Sequence, residues 1–351
     1  MATLTETAYQ TRRAINWTIL AIISYIILRI SWGLFVAVWL YFFPPKPPLP
    51  NHAFGVLPAL KFPLATASAS GELTFRLETI EGTVPKASES ATVYFMPKTS
   101  ANLLALNKTQ DFAKRLGFDI NPIAETKNIY RFNDTDFILR TLRYDIVSNN
   151  FLLRYAFEED TGVFSEKNFL SSDALVSEAK NILQTYDLYV DDIQTGTTKT
   201  SFLKLVGNTL IPTTSLSVAD AVRVDFLYRS IGNTPIVTPN PTEGLISFIF
   251  SGSVNDKKRL IELSYTFWPI DYQTTATYGL KSSSQAWQEL QSGSGYIAKY
   301  PKTGSTAVIR NVYTGYYNSI SPQTYLQPVF VFEGDNGFMA YVSAVASPWT
   351  E

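Results

Sequence analysis

Residues 14–43 read AINWTILAIISYIILRISWGLFVAVWLYFF and run straight into Pro44-Pro45-Lys46-Pro47-Pro48-Leu49-Pro50. About 20 consecutive apolar residues cross the hydrocarbon core of a bilayer, and a helix satisfies its own backbone groups where water cannot. The stretch is longer than that minimum, so it predicts one transmembrane helix over 14–43 behind a short tail, 1–13. A cleaved leader has an apolar core of roughly 7 to 15 residues with a small-x-small site directly after it. Here the core continues through Trp39, Tyr41, Phe42 and Phe43, and the triplet Ala65-Thr66-Ala67 comes well past its end. The reading is an uncleaved, single-pass anchor.

Positive charge near a span stays on the cytoplasmic side. Arg12 and Arg13 precede the helix, whereas Lys46 and then Lys61 are the first cations beyond it. The expected topology is therefore a cytoplasmic N-terminus and an extracytoplasmic C-terminal region at the cell membrane. Arg29 interrupts the apolar run. A guanidinium inside a span costs a few kcal/mol on insertion scales unless it is paired or reaches the headgroups. It either snorkels toward the interface or pairs with a polar group on another membrane helix, and Ser24, Ser31 and Gly33 suit close helix contact.

The chain carries 29 Lys and Arg against 30 Asp and Glu, so no global field draws it to nucleic acid. It has no cysteine, which removes disulfides, thiolate metal sites and cysteine nucleophiles. An exported region must hold together by its core alone, and 14% aromatic content supplies the apolar area.

Beyond the anchor, residues 44–62 read as a Pro-rich stalk, in which polyproline geometry would span roughly 20 Å. Phe54–Pro63 reads as an apolar arm lying on the following domain. Two modules are then expected, 63–165 and 166–351. Period-2 runs at 73–80, 91–96, 129–132, 137–144 and 151–157 predict strands, with a helix over 100–116 capped by Ser100 and a turn at Ser148-Asn149-Asn150. A helix from Ser172 places Leu175, Ala179, Ile182 and Tyr186 on one face, and a short one follows at 284–290. Strands are predicted at 201–206, 222–228, 245–251, 259–268, 307–317, 329–333 and 338–345, with 235–241 as a loop. The fold class is α+β: after the N-terminal transmembrane helix come antiparallel sheets, each covered by a helix, as duplicated units.

The closing segment runs Val308-Ile309-Arg310-Asn311-Val312-Tyr313-Thr314-Gly315-Tyr316-Tyr317, then Tyr325-Leu326-Gln327-Pro328-Val329-Phe330, then Phe338-Met339-Ala340-Tyr341-Val342 after a Gly334-Asp335-Asn336-Gly337 turn. Taken alone it is a three-stranded meander. Together with the single anchor it resembles the C-terminal part of the YycH/YycI-type membrane-anchored regulators and related PepSY-like extracytoplasmic domains. The resemblance implies a non-enzymatic protein that modulates a membrane sensor kinase. The Pro-rich stalk and the sequence before Ser172 depart from that layout.

Catalytic motifs are scarce. The one histidine, His52, falls in the linker, so a Ser-His-Asp triad and a histidine zinc site are not expected. No Gly-rich phosphate loop occurs, and no catalytic residue, metal site or cofactor is assigned. Acid groups remain, Glu158-Glu159-Asp160, Asp191-Asp192 and Asp134 with Asp136, each beside a predicted turn where solvated carboxylates belong. Tyr313, Tyr316, Tyr317 and Tyr325 are either core or a protein interface. The sequence-level reading is a membrane-anchored binding or regulatory protein whose partners are the bilayer and another membrane or envelope protein. Its rivals are a carboxylate-based cell-wall glycan enzyme and a structural subunit of a secretion or surface-appendage complex.

Overall fold

A computed structural model describes residues 4–42, 49–63, 73–100, 103–302 and 304–351. Residues 44–48 of the predicted stalk and the Ala65-Thr66-Ala67 triplet lie outside the described residues. The chain divides into two units, 1–48 and 49–351. The first is helix α1, Leu4–Phe42, in which Arg12–Trp39 is long and apolar enough to cross a membrane.

The second unit holds two sheets. Its strands in chain order are β1 Thr74–Leu77, β2 Ser90–Phe95, β3 Ile123–Ala124, β4 Ile129–Asn133, β5 Arg140–Asp145, β6 Phe151–Tyr155, β7 Thr197–Val206, β8 Thr209–Thr213 and β9 Ala221–Leu227. They continue with β10 Ile236–Val237, β11 Ile246–Ser251, β12 Leu260–Tyr265, β13 Asp271–Gly279, β14 Tyr296–Lys299, β15 Thr306–Tyr317, β16 Tyr325–Gly334 and β17 Met339–Ser343. The helices are α2 Ala105–Arg115, α3 Ser172–Thr185, α4 Asp191–Gln194, α5 Asp256–Arg259 and α6 Ser283–Gln291.

Nine strands form an antiparallel sheet in the order β3-β4-β5-β6-β12-β11-β9-β7-β8. Because β6 pairs with β12, the predicted boundary at 165/166 runs through the middle of this sheet. Successive side chains alternate faces, and Leu153, Val222, Val224, Phe226, Ile246, Phe248, Phe250 and Leu263 all turn to the face covered by α2 and α3. Across that face Tyr144 stacks on Phe151, ring centroids 5.6 Å apart, and Phe151 on Tyr265, 5.3 Å apart, so the strand register lines aromatic rings into a row. From α3, Leu175, Ala179 and Leu183 are buried, and Ser171 caps the helix by accepting the Ala174 N–H. Helix α2 starts behind Leu104 and not at Ser100.

The other sheet has eight strands around β15-β16-β17, which is the predicted meander, with parallel pairs β1/β15 and β10/β15. Helix α6 covers it with Ala286 and Leu290, and opens with a capping box between Ser282 and Gln285. The turn from β16 to β17 uses positive φ at Asn336 and Gly337, the conformation that asparagine and glycine tolerate best. Pro328 sits inside β16, where a missing N–H would break a ladder. Its position accounts for this: Tyr325 and Leu326 pair with β2, Val329 onward with β17, and the proline falls where the strand changes neighbours.

Residues 49–63 lie across the eight-stranded sheet as a strap, which bears out the apolar arm. The N–H groups of Asn51 and His52 donate to the Thr277 carbonyl, and Leu57 bridges Thr350. Phe54 stacks on Tyr325 and Phe62 on Tyr296. His52, expected in a loose linker, is fixed here.

Candidate functional site

At 100° per residue, Thr18, Tyr25, Arg29 and Trp32 of α1 fall within about 60° of one another, while Ile19, Ile23, Ile27, Ile30 and Leu34 fill a separate sector about 80° wide. Val36 shares the first sector and Ser24 and Ser31 lie in neither, so α1 is apolar on all sides, with Tyr25, Arg29 and Trp32 on one of them. Arg29 has no ion pair among the described residues. Trp32, Phe35 and Trp39 form a ring ladder with centroid spacings of 5.9 and 6.0 Å.

The four candidate interface tyrosines separate. Tyr316 and Tyr317 are buried within the cores, where burial pushes both phenols well above their usual range, so neither offers a surface to a partner. Tyr313 and Tyr325 are half-buried, and Tyr325 is covered in part by Phe54.

Most of the acids picked from the sequence are held by cations. Asp134 accepts hydrogen bonds from Arg140 at 2.7 Å, Lys257 at 3.0 Å and the backbone of Asp136 and Phe137. Burial opposes its ionisation, yet Arg140, the two N–H groups and Lys257 together hold the carboxyl below the usual carboxylate range. Asp136 shares Lys257, Glu158 pairs with Arg154, and Asp160 accepts from Lys258 and Tyr155. Asp192 accepts from Arg229 at 3.0 Å and from the Tyr272 hydroxyl at 2.6 Å, and burial followed by that bond pushes Tyr272 up to about 12. These are structural ion pairs that tie strands to helices and loops.

A different set of carboxylates gathers on the second face of the nine-stranded sheet. A cavity of about 250 Å³ is bounded there by Arg223, Ser247, Glu262, Ser264 and Thr266 on the strands and by the 238–245 loop. The register sets Asp225, Ser247 and Ser264 side by side across β9, β11 and β12. Asp225 is wholly buried, and its Oδ1 accepts from Arg223 Nε and from the Gly244 N–H, each at 2.9 Å. Gly244 has to be glycine at this approach, since a Cβ would lie 2.4 Å from the Phe226 carbonyl oxygen. The loop is pinned by Thr238, whose hydroxyl donates to the Asn240 and Glu243 carbonyls, and by Tyr341, which donates to the Thr238 carbonyl. Burial pushes the Asp225 and Glu262 carboxyls up, against the pull of Arg223. Sequence reading missed these residues because Asp225, Glu243 and Glu262 stand singly inside or beside apolar strands; the signal available was a lone acid at an alternate strand position.

A second cleft, of about 280 Å³, opens where the two sheets meet, lined by Met96, Pro97, Phe267, Trp268, Pro322 and Gln323 among others. The Trp268 indole is fixed by its donation to the Ser319 carbonyl. Among the described residues no cluster of His, Asp and Glu is placed to hold a metal ion.

No protein-family model matches the chain, and no curated protein matches it. Among solved structures it is similar to an uncharacterized protein from Eubacterium rectale ATCC 33656, at 13% identity over 74% of this chain and 84% of that one, with a TM-score of 0.40.

Proposed function

We propose that this chain is a single-pass membrane-anchored protein whose 49–351 region is extracytoplasmic and acts by binding, regulating another envelope protein. The observation that carries this reading is Arg29, a guanidinium inside the apolar run of α1 with no ion pair among the described residues. In a helix surrounded only by lipid such a charge is costly, whereas a second membrane helix can pair it, and Tyr25 and Trp32 stand on the same side of α1 as Arg29. Pairing of Arg29 with an acidic side chain of a second membrane helix fits that face. The engagement of Asp134, Glu158, Asp160 and Asp192 in ion pairs favours binding over carboxylate catalysis at those positions. A sensor kinase is the partner that the resemblance of the C-terminal meander brings to mind.

The test is photo-crosslinking in intact cells from a benzoylphenylalanine at Tyr25 or Trp32, read by mass spectrometry. A discrete membrane protein should be captured and then lost on Arg29→Leu, with the variant still inserted. Crosslinks to lipid alone would overturn the partner. Protease added to protoplasts should degrade the 49–351 region, and its survival would overturn the orientation.

A further inference from the structure

We propose that the cavity between the second face of the nine-stranded sheet and the 238–245 loop is a binding site for a small ligand bearing a primary ammonium group. The argument starts from what the cavity leaves unsatisfied. Asp225 has 0% exposure, and its Oδ2 has no hydrogen-bond partner although it is fully enclosed. A buried carboxylate oxygen without a donor carries its full desolvation cost, so native structures seldom keep one. Asp225 lies directly behind the wall of this cavity, and its bonded partners Arg223 and Gly244 and its register neighbour Ser247 all line it. Glu262, in the wall, makes no hydrogen bond among the described residues, and its nearest cation is Arg154 at 3.8 Å. The hydroxyls of Ser247, Ser264 and Thr266 complete the lining.

The chemistry follows from the count of donors. Arg223 is the one cation in the wall, and it is already divided between Asp225 and Glu243, the latter at 3.0 Å. Arg154 is shared with Glu158. Lys199 approaches only the outside of the loop, where its ammonium donates to the Thr242 carbonyl at 3.4 Å. Lys299, on β14, feels Glu243 from beyond the loop. What the wall offers is acceptors: the Glu262 carboxyl and hydroxyls, with the orphan carboxylate oxygen of Asp225 directly behind them. An ammonium supplies three donors and one positive charge to such a set, whereas an anion would meet Asp225 and Glu262. The space holds roughly eight water-sized volumes at about 30 Å³ each, which is enough for an amino sugar or a small amine. Glu243, 41% exposed, and Ile320 stand at the mouth.

The test uses the full chain in detergent micelles, with propylammonium as probe and 1-propanol as its neutral counterpart, read by the methyl resonance of Ile320. Propylammonium should shift that resonance saturably in the millimolar range, and propanol should not. Glu262→Gln, at the cavity wall, should weaken binding at least about tenfold with no loss of melting temperature, and Asp225→Asn should weaken binding too while lowering the melting temperature, because it takes a buried carboxylate from Arg223. Glu289→Gln, on α6 beside Lys281, should bind as the wild type does. Equal response to propanol, no saturable response to propylammonium, or unimpaired binding by Glu262→Gln would each overturn the proposal. Should Asp225→Asn fail to fold, Glu262→Gln decides.

Discussion

The imidazole of His52 lies flat on the indole of Trp349, with ring centroids 3.9 Å apart and planes 10° from parallel, and the edge of Tyr278 closes the stack at 5.3 Å. Two residues almost a full chain apart are thereby joined where the 49–351 unit begins and where the sequence ends. Around them Leu57 donates its N–H to the Trp349 carbonyl, and Glu351 donates to that of Leu57. The chain's last residues thus lock its strap in place.

Trp349→Ala should loosen this lock. Loss of one ring from a half-buried stack is expected to cost about 1 to 2 kcal/mol. Trypsin should then cut after Lys61 faster than in the wild type, before the sheets open. An unchanged cleavage rate would show that the strap is held without the stack.

Asp134→Asn should be among the most destabilising single changes outside the apolar core. It strips the buried Arg140 and the half-buried Lys257 of their shared carboxylate, and breaking a buried pair costs about 3 to 5 kcal/mol. Because the folded carboxyl titrates below its usual range, its contribution is present above the unfolded value and is lost as pH falls through the folded one. The wild type should therefore lose stability on acidification below about pH 4, and Asp134→Asn should lose less of its remaining stability over the same interval. Chemical denaturation at several pH values measures both.

Glu262→Gln carries the opposite sign. A carboxyl pushed up by burial costs the fold stability once pH rises past its unfolded value, so the amide should be as stable as the wild type or more so at neutral pH, and the difference should shrink on acidification. Melting curves of the two proteins across that range check it. Destabilisation at neutral pH would mean that the Arg154 contact outweighs burial.

Ser282→Ala removes the capping box of α6 and is expected to cost about 1 kcal/mol, while Tyr317→Ala opens a cavity in the core and should cost about 3 to 5 kcal/mol. Tyr313→Ala, at a half-buried position, should cost clearly less. Equilibrium unfolding ranks the three.

Local signals carried much of this fold. The Leu175 to Ile182 spacing marked the inner face of the helix from Ser172, and Asn336 and Gly337 marked their turn, because each acts within a few residues of chain. Non-local pairing was not legible. Strand β13, with Thr274, Thr275 and Thr277 mostly exposed, is a strand only because β2 supplies its hydrogen bonds, and Pro328 reads as a strand opener until the change of partner from β2 to β17 is seen. The acids divide the same way. Clusters such as Glu158-Glu159-Asp160 catch the eye, yet Glu158 and Asp160 lie against Arg154 and Lys258, while Asp225 and Glu262 come together only through the register of β9, β11 and β12.

The strap also decides how the 49–351 unit would bear a load. Tension arriving at Leu49 meets first the bonds of Asn51 and His52 to Thr277, then the rings of Phe54 and Phe62, and only later the strands beneath them. These contacts can peel one after another, each a small local event, while the ladders of both sheets stay closed. Strain entering at Leu49 would therefore be registered as lengthening of the 49–63 strap and baring of Tyr278, Tyr325 and Tyr296, before any unfolding of the body.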